Sequence, residues 1–147
     1  MVFYIISGLC AGIAQFAVDP QSPIPVIGAS GAIAGVMGGY LLLFPKAKVD
    51  IFIFLIVFMR IVPIPAWVML GAWFALQLVN GIATDTTAGG VAHWAHAGGF
   101  IVGFVLIIPL WLRLGGRAWW TRTHYHRLAP ATSLPDHLHE RVAVPKR

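Results

Sequence analysis

Charge is what this sequence has least of. Of its 147 residues only 10% are Asp, Glu, Lys or Arg, while 59% are hydrophobic, against roughly 25% charged in a typical soluble domain. With a mean hydropathy of +0.81, that scarcity excludes an ordinary water-soluble globule and reads as a polytopic protein of the lipid bilayer. There is one cysteine, Cys10, inside an apolar run, which excludes an internal disulfide. The start, MVFYIISGLC, lacks a basic n-region and a cleavage site, so it does not read as a signal peptide and instead begins within a membrane segment. Acidic residues are fewer than basic ones, five against ten. A nucleic-acid interface does not follow, because the basic residues sit in short loops and at the end of the chain, where they set membrane orientation.

What is present in abundance is apolar runs. A spanning helix needs about 20 mostly apolar residues, and four candidates emerge: Val2 to Val18, Gly28 to Phe44, Ile61 to Val79 and Ala92 to Leu112. The fold expected is therefore all-α, a transmembrane helix bundle of about four spans over residues 1–112. A basic tail without fixed structure follows over 113–147. The apolar stretch Val49–Met59 is separated from the third span by Arg60 and the pair Pro63 and Pro65. It reads either as an interfacial or re-entrant segment or as part of one long tilted helix.

Lys46 and Lys48 mark one loop, and Arg113, Arg117 and Arg122 open the tail; the loops holding Asp19 and Asp85 carry no Lys or Arg. The positive-inside rule puts the Lys46 loop and the tail in the cytoplasm, with Trp119 and Trp120 at the interface. A bacterial inner (plasma) membrane fits this orientation, and lipid is one partner.

The same topology brings Ser30 and His96 to the outward ends of two different spans, at one depth. A serine hydroxyl becomes a competent nucleophile when a neighbouring base takes its proton, and histidine is the usual base. The helix N-terminus at Ser30 offers backbone N–H groups and a positive dipole end for an oxyanion, with Gly28, Ala29 and Gly31 around it. Gly31, Gly35 and Gly39 recur on one helix face, and His96, Gly99 and Gly103 share another, so the two helices can approach as in GxxxG packing. Blander readings stand beside this one. Ser30 is equally read as a helix cap, glycine stripes often mean packing alone, and His93 with His96 gives two metal ligands but no third at that depth. Asp85 reads as a solvated loop residue.

Two motifs sharpen the choice. "GASGAIAG" at Gly28–Gly35 and "AHAGGFIVG" at Ala95–Gly103 resemble the nucleophile and histidine motifs of the rhomboid intramembrane serine proteases. "FYIISGLCAGIAQ", "YLLLFPKAKV" and "WFALQLVNG" support the resemblance, which covers residues 2–112. It implies a Ser30–His96 dyad without a carboxylate, cleaving transmembrane segments of membrane-protein substrates. Ser30 would be the nucleophile, His96 the base and acid, and backbone N–H groups near Ala29 and Ser30 the oxyanion donors. No cofactor, metal or nucleic acid is implied. Pro63, Pro65, Trp67, Trp73 and Phe74 would fall on the helix that flanks substrate access. The chain matches spans three to six of the family core, so it reads as an N-terminally incomplete member. It lacks the second-span His and Asn and the Trp–Arg loop, and Ala34 stands where some members have Tyr. The alternative implied by those departures is a catalytically silent relative that binds client transmembrane helices.

Overall fold

The computed structural model describes residues 1–22, 29–55, 58–83 and 91–128, with 52–60 and 124–128 as backbone. In chain order the elements are α1 (Val2–Val18), α2 (Ser30–Leu43), β1 (Lys48–Leu55), β2 (Phe58–Pro65), α3 (Ala66–Ala83), α4 (His93–Arg113) and α5 (Arg117–Leu128).

The centre of the bundle is built from small residues. Ala34, Ala47, Ala66, Leu70 and Phe100 form the buried cluster, with Met37, Leu41, Phe44, Trp73 and Phe74 packed around it. Many large aliphatic side chains point outward: Ala34 is 1% exposed, whereas Leu9 is 64% and Ile13 65% exposed. Val79, Val105 and Leu112 are likewise exposed. In water such a surface would be one continuous apolar patch, far beyond what soluble monomers carry. Facing lipid tails it costs nothing, and small residues inside let the helix backbones approach. Two helices, Ala66–Ala83 and His93–Arg113, are long and apolar enough to cross a membrane, while Val2–Val18 and Ser30–Leu43 are shorter apolar helices.

The architecture is mostly helical but not all-α. Strands β1 and β2 pair as an antiparallel hairpin in which Lys48 pairs with Pro65, Asp50 with Pro63 and Leu55 with Phe58. This overturns the reading of Val49–Met59 as part of one long tilted helix, and it moves the start of the third helix from Ile61 to Ala66. Proline is tolerated in β2 because a two-stranded ribbon has a free edge that needs no ladder donors. Pro63 and Pro65 lie two apart, so their missing N–H groups fall on one edge. The hairpin hands directly into α3. The N–H of Ala66 donates to the Ala47 carbonyl at 2.7 Å and that of Trp67 to the Pro45 carbonyl at 3.0 Å, which satisfies two donors that a helix start leaves without partners.

The segment following Arg113 also departs from expectation. Gly115 and Gly116 adopt positive φ, 105° and 57°, and turn the chain into α5 rather than into an unstructured tail. That helix is anchored by indoles. The Trp119 Nε1–H donates to the Leu43 carbonyl at 3.1 Å and the Trp120 Nε1–H to the Leu42 carbonyl at 2.7 Å. These carbonyls end α2, where no intrahelical donor reaches them. Trp119 also packs on Phe44, and Trp120 on Trp111. Replacing Trp120 with Phe keeps an aromatic ring beside Trp111 and removes the donor. Thermal unfolding in detergent is expected to register a loss of about 1–3 kcal/mol, the cost of a buried acceptor left unpaired. Residues 129–147 lie outside the described residues.

Candidate active site

The site begins with the way α2 and α4 meet. The two helices touch backbone to backbone. A Cβ on Gly31 would stand 2.5 Å from the Ala11 Cβ and 3.4 Å from the Ala95 carbonyl oxygen, and one on Gly35 2.5 Å from the Ser7 Cβ and 3.1 Å from the Gly99 oxygen. Cβ atoms on Gly99 and Gly103 would collide with the carbonyls of Gly31 and Gly35 respectively. Gly38, absent from the expected stripe, is as tight, since its Cβ would collide with the Phe100 carbonyl. Gly39 is looser, facing Phe3 at 3.3 Å and the Gly103 oxygen at 3.6 Å. The facing pairs advance together along both helices, so α2 and α4 run parallel. Ser30, just before Gly31, and His96, just after Ala95, therefore lie at the same end of the seam.

Ser30 is the first residue of α2, and Ala29 is its N-cap, without a side-chain capping bond. The cap reading of Ser30 is thereby overturned: its hydroxyl closes no helix end. Ser30 is exposed, and among the described residues its hydroxyl makes no hydrogen bond, including none to His96. The first intrahelical bond of α2 runs from the Ile33 N–H to the Ala29 carbonyl. The N–H groups of Ala29 to Ala32 are thus left without helical partners. Gly28 and Asp85 lie outside the described residues.

His96 is in the first turn of α4 and half-buried. Its ring lies 5.8 Å from that of Trp73 in a tilted stack. Its Nδ1 is 3.0 Å from the Oε1 of Gln77 on α3, and the Nδ1 of His93 is 2.9 Å from that same oxygen. An amide oxygen can only accept, so Nδ1 of each ring stands as the donor to it, and a neutral His96 in that tautomer keeps its lone pair on Nε2. For His96 that is the condition a general base must meet.

Two further bonds fix the start of α4. The Ala95 N–H donates to the Gln15 Oε1 of α1 at 3.1 Å, and the Trp94 Nε1–H to the Gly81 carbonyl of α3 at 3.1 Å. Gln15 thus satisfies from another helix one of the orphan donors of the first turn of α4. Gln15 and Gln77 were missed by the sequence reading. The signal for them was an amide side chain within an apolar run, where an unpaired polar group is costly enough that a partner must be sought.

A family model described as Rhomboid domain matches residues 1–113. The chain belongs to the rhomboid family. No curated protein and no solved structure matched the chain. The match runs from α1 to the end of α4, the four helices that build the Ser30–His96 end, and leaves α5 outside. This rhomboid domain is thus a helical membrane bundle of a family of intramembrane proteases and related proteins. Its outward-facing aliphatic surface is what residence in lipid requires.

Proposed function

We propose that this chain is an intramembrane serine endopeptidase that uses Ser30 as nucleophile and His96 as general base and acid. The observation that carries the reading is the state of the two side chains. Among the described residues the Ser30 hydroxyl is neither a cap nor otherwise engaged, and the imidazole at the same end of the helix seam has its Nδ1 on the Gln77 oxygen, which leaves Nε2 available.

In this reading the Ser30 hydroxyl proton passes to His96 Nε2 as Oγ bonds to the scissile carbonyl carbon. The resulting oxyanion is met by backbone N–H groups at the start of α2, favoured by the helix dipole. Collapse breaks the C–N bond while the imidazolium returns the proton to the leaving amine. Water then attacks the acyl-enzyme carbonyl and gives a proton to His96; as the C–Oγ bond breaks, the imidazolium returns that proton to Ser30 Oγ and the new carboxyl end is released. No cofactor enters these steps.

The depth of the site supports a substrate within the bilayer. Helix α2 has 14 residues, so it is about 21 Å long at ~1.5 Å per residue, against a hydrocarbon core of ~30 Å. Its other end is pinned by Trp119 and Trp120, residues suited to the interface. Ser30 then falls short of the opposite surface by about 9 Å, at a level reached by a transmembrane segment unwound near its end. Lys46, Lys48, Arg113 and Arg117 cluster at the Trp end, which the positive-inside rule assigns to the cytoplasm of a bacterial plasma membrane.

One observation favours a second reading, a silent relative that binds client helices: Ser30 and His96 share no hydrogen bond among the described residues. Catalytic hydrogen bonds are often long without substrate and tighten when it binds, so the enzyme reading is retained. The test is covalent labelling by a fluorophosphonate probe in liposomes. The expected result is a label on the Ser30 peptide, absent in Ser30→Ala and in His96→Ala. Retention of a transmembrane client with no label on Ser30 would establish the silent binder instead.

A further inference from the structure

Gln77 is a neutral amide buried in an apolar helix, 8% exposed, and its oxygen lies within hydrogen-bond distance of two imidazoles. Its place in α3 has an evident cost, since a polar side chain among lipid and apolar neighbours must find partners. What it gains is two donors on one oxygen, 2.9 and 3.0 Å away, which fills both of the acceptor sites an amide oxygen has.

We propose that Gln77 is a positioning residue for His96: it selects the Nδ1–H tautomer and fixes the ring so that Nε2 faces Ser30. This deepens the protease reading and rests on it.

An unassisted imidazole populates both neutral tautomers, and only one can take a proton at Nε2. In a soluble serine protease the partner at Nδ1 is a carboxylate, and losing the correct tautomer there costs ~10⁴ in turnover. Within a membrane an ionised carboxylate is expensive to bury, whereas an amide offers the same acceptor without a charge. Gln77 fixes direction only: it adds no charge to stabilise the imidazolium. Trp73 limits the same ring from its face, with centroids 5.8 Å apart. Two helices therefore orient one imidazole: α4 carries it, while on α3 Gln77 holds one nitrogen and Trp73 backs the plane. His93 binds the second lone pair of the amide oxygen, so the Gln77 side chain is itself held and cannot turn away without breaking both bonds.

The experiment compares the full-length chain with Gln77→Leu and Gln77→Glu in liposomes. Leu removes the acceptor at similar volume, and Glu retains an oxygen in its place. The first readout is the rate of fluorophosphonate labelling at Ser30. The expected loss is on the order of 10–100-fold in Gln77→Leu, as when a group orienting a functional imidazole is removed, with Gln77→Glu close to wild type. The second readout is the nitrogen-15 shifts of selectively labelled histidine, which separate the two neutral tautomers whether or not the protein is active. His96 is expected as the Nδ1–H tautomer in the wild-type chain and as a mixture in Gln77→Leu. A wild-type His96 carrying its proton on Nε2 would overturn the proposal, as would a Gln77→Leu variant that labels at the wild-type rate. A wild-type chain that fails to label but has Nδ1–H at His96 would sink the protease reading and leave the role of Gln77 in place. Circular dichroism and thermal unfolding of both variants separate a lost orientation from a lost fold, because a merely structural role would not shift the tautomer.

Discussion

Replacing His96 with Ala is expected to lower peptide-bond hydrolysis by a factor on the order of 10⁶ in kcat, the size seen when the base or nucleophile of a soluble serine protease is removed. The loss should fall on kcat and leave KM almost unchanged, because the role proposed for His96 is on the proton and not on the substrate's apolar length. Ser30→Ala should be as damaging, and the double variant no worse than either, since the members of the proposed dyad would act as one unit. The fold should survive. The α2–α4 seam is made by Gly31, Gly35, Gly38, Gly99 and Gly103 and does not involve the imidazole, while Gln77 retains His93 as a donor. Hydrolysis of a reconstituted transmembrane substrate, followed by gel and by mass of the fragments, measures the effect. Cleavage that persists in Ser30→Ala would assign the nucleophile elsewhere.

The largest effect on stability is expected at Gly103. A Cβ there would collide with the oxygen, carbon and Cα of Gly35, all backbone atoms, which cannot rotate aside as a side-chain tip can. Gly103→Leu must therefore push α2 and α4 apart along their whole contact. Ordinary overpacking costs about 1–3 kcal/mol, and a collision with a helix backbone should exceed that and leave the bundle unfolded or misassembled. Gly12 and Gly71 supply the control. A Cβ on either meets nothing within 4 Å, and Leu is the better helix former by about 0.5–1 kcal/mol. Gly12→Leu and Gly71→Leu should then unfold at or above the wild-type temperature in detergent, while Gly103→Leu loses its cooperative transition. Equal behaviour of the three variants would mean that the seam is not what holds α2 to α4.

The parts of the molecule legible in the sequence were those governed by a single strong pattern. Val2 to Val18 was bounded correctly because an unbroken apolar run ends at Asp19 and Pro20, and the helix found there has those limits. The second and fourth spans were placed to within two residues for the same reason. Ser30 and His96 stood out because a polar group inside such a run is rare, and the motifs around them are specific. The hairpin was not legible. A continuous apolar run such as Ile51–Val57 has no period to separate strand from helix, and the prolines of β2 were taken as breaks when they mark a free edge. Helix α5 was hidden because its stability is tertiary. The sequence after Arg117 has little apolar periodicity, and it is helical where two indoles reach the carbonyls of a helix 76 and 78 residues earlier. Gln77 escaped for a related reason: the sequence has its amide, but only the packing of α3 on α4 reveals that both histidines point at it.

The indole caps on α2 bear on biogenesis. Synthesis proceeds from the amino end, so the serine-bearing helix leaves the ribosome long before Trp119 and Trp120 exist. Until they arrive, the carbonyls of Leu42 and Leu43 must be hydrated at the membrane boundary, since the lipid interior offers them no donor. The nascent bundle therefore closes its final turn only after translation has passed residue 120, and a chain released before that point carries Ser30 on a helix that frays at the opposite end.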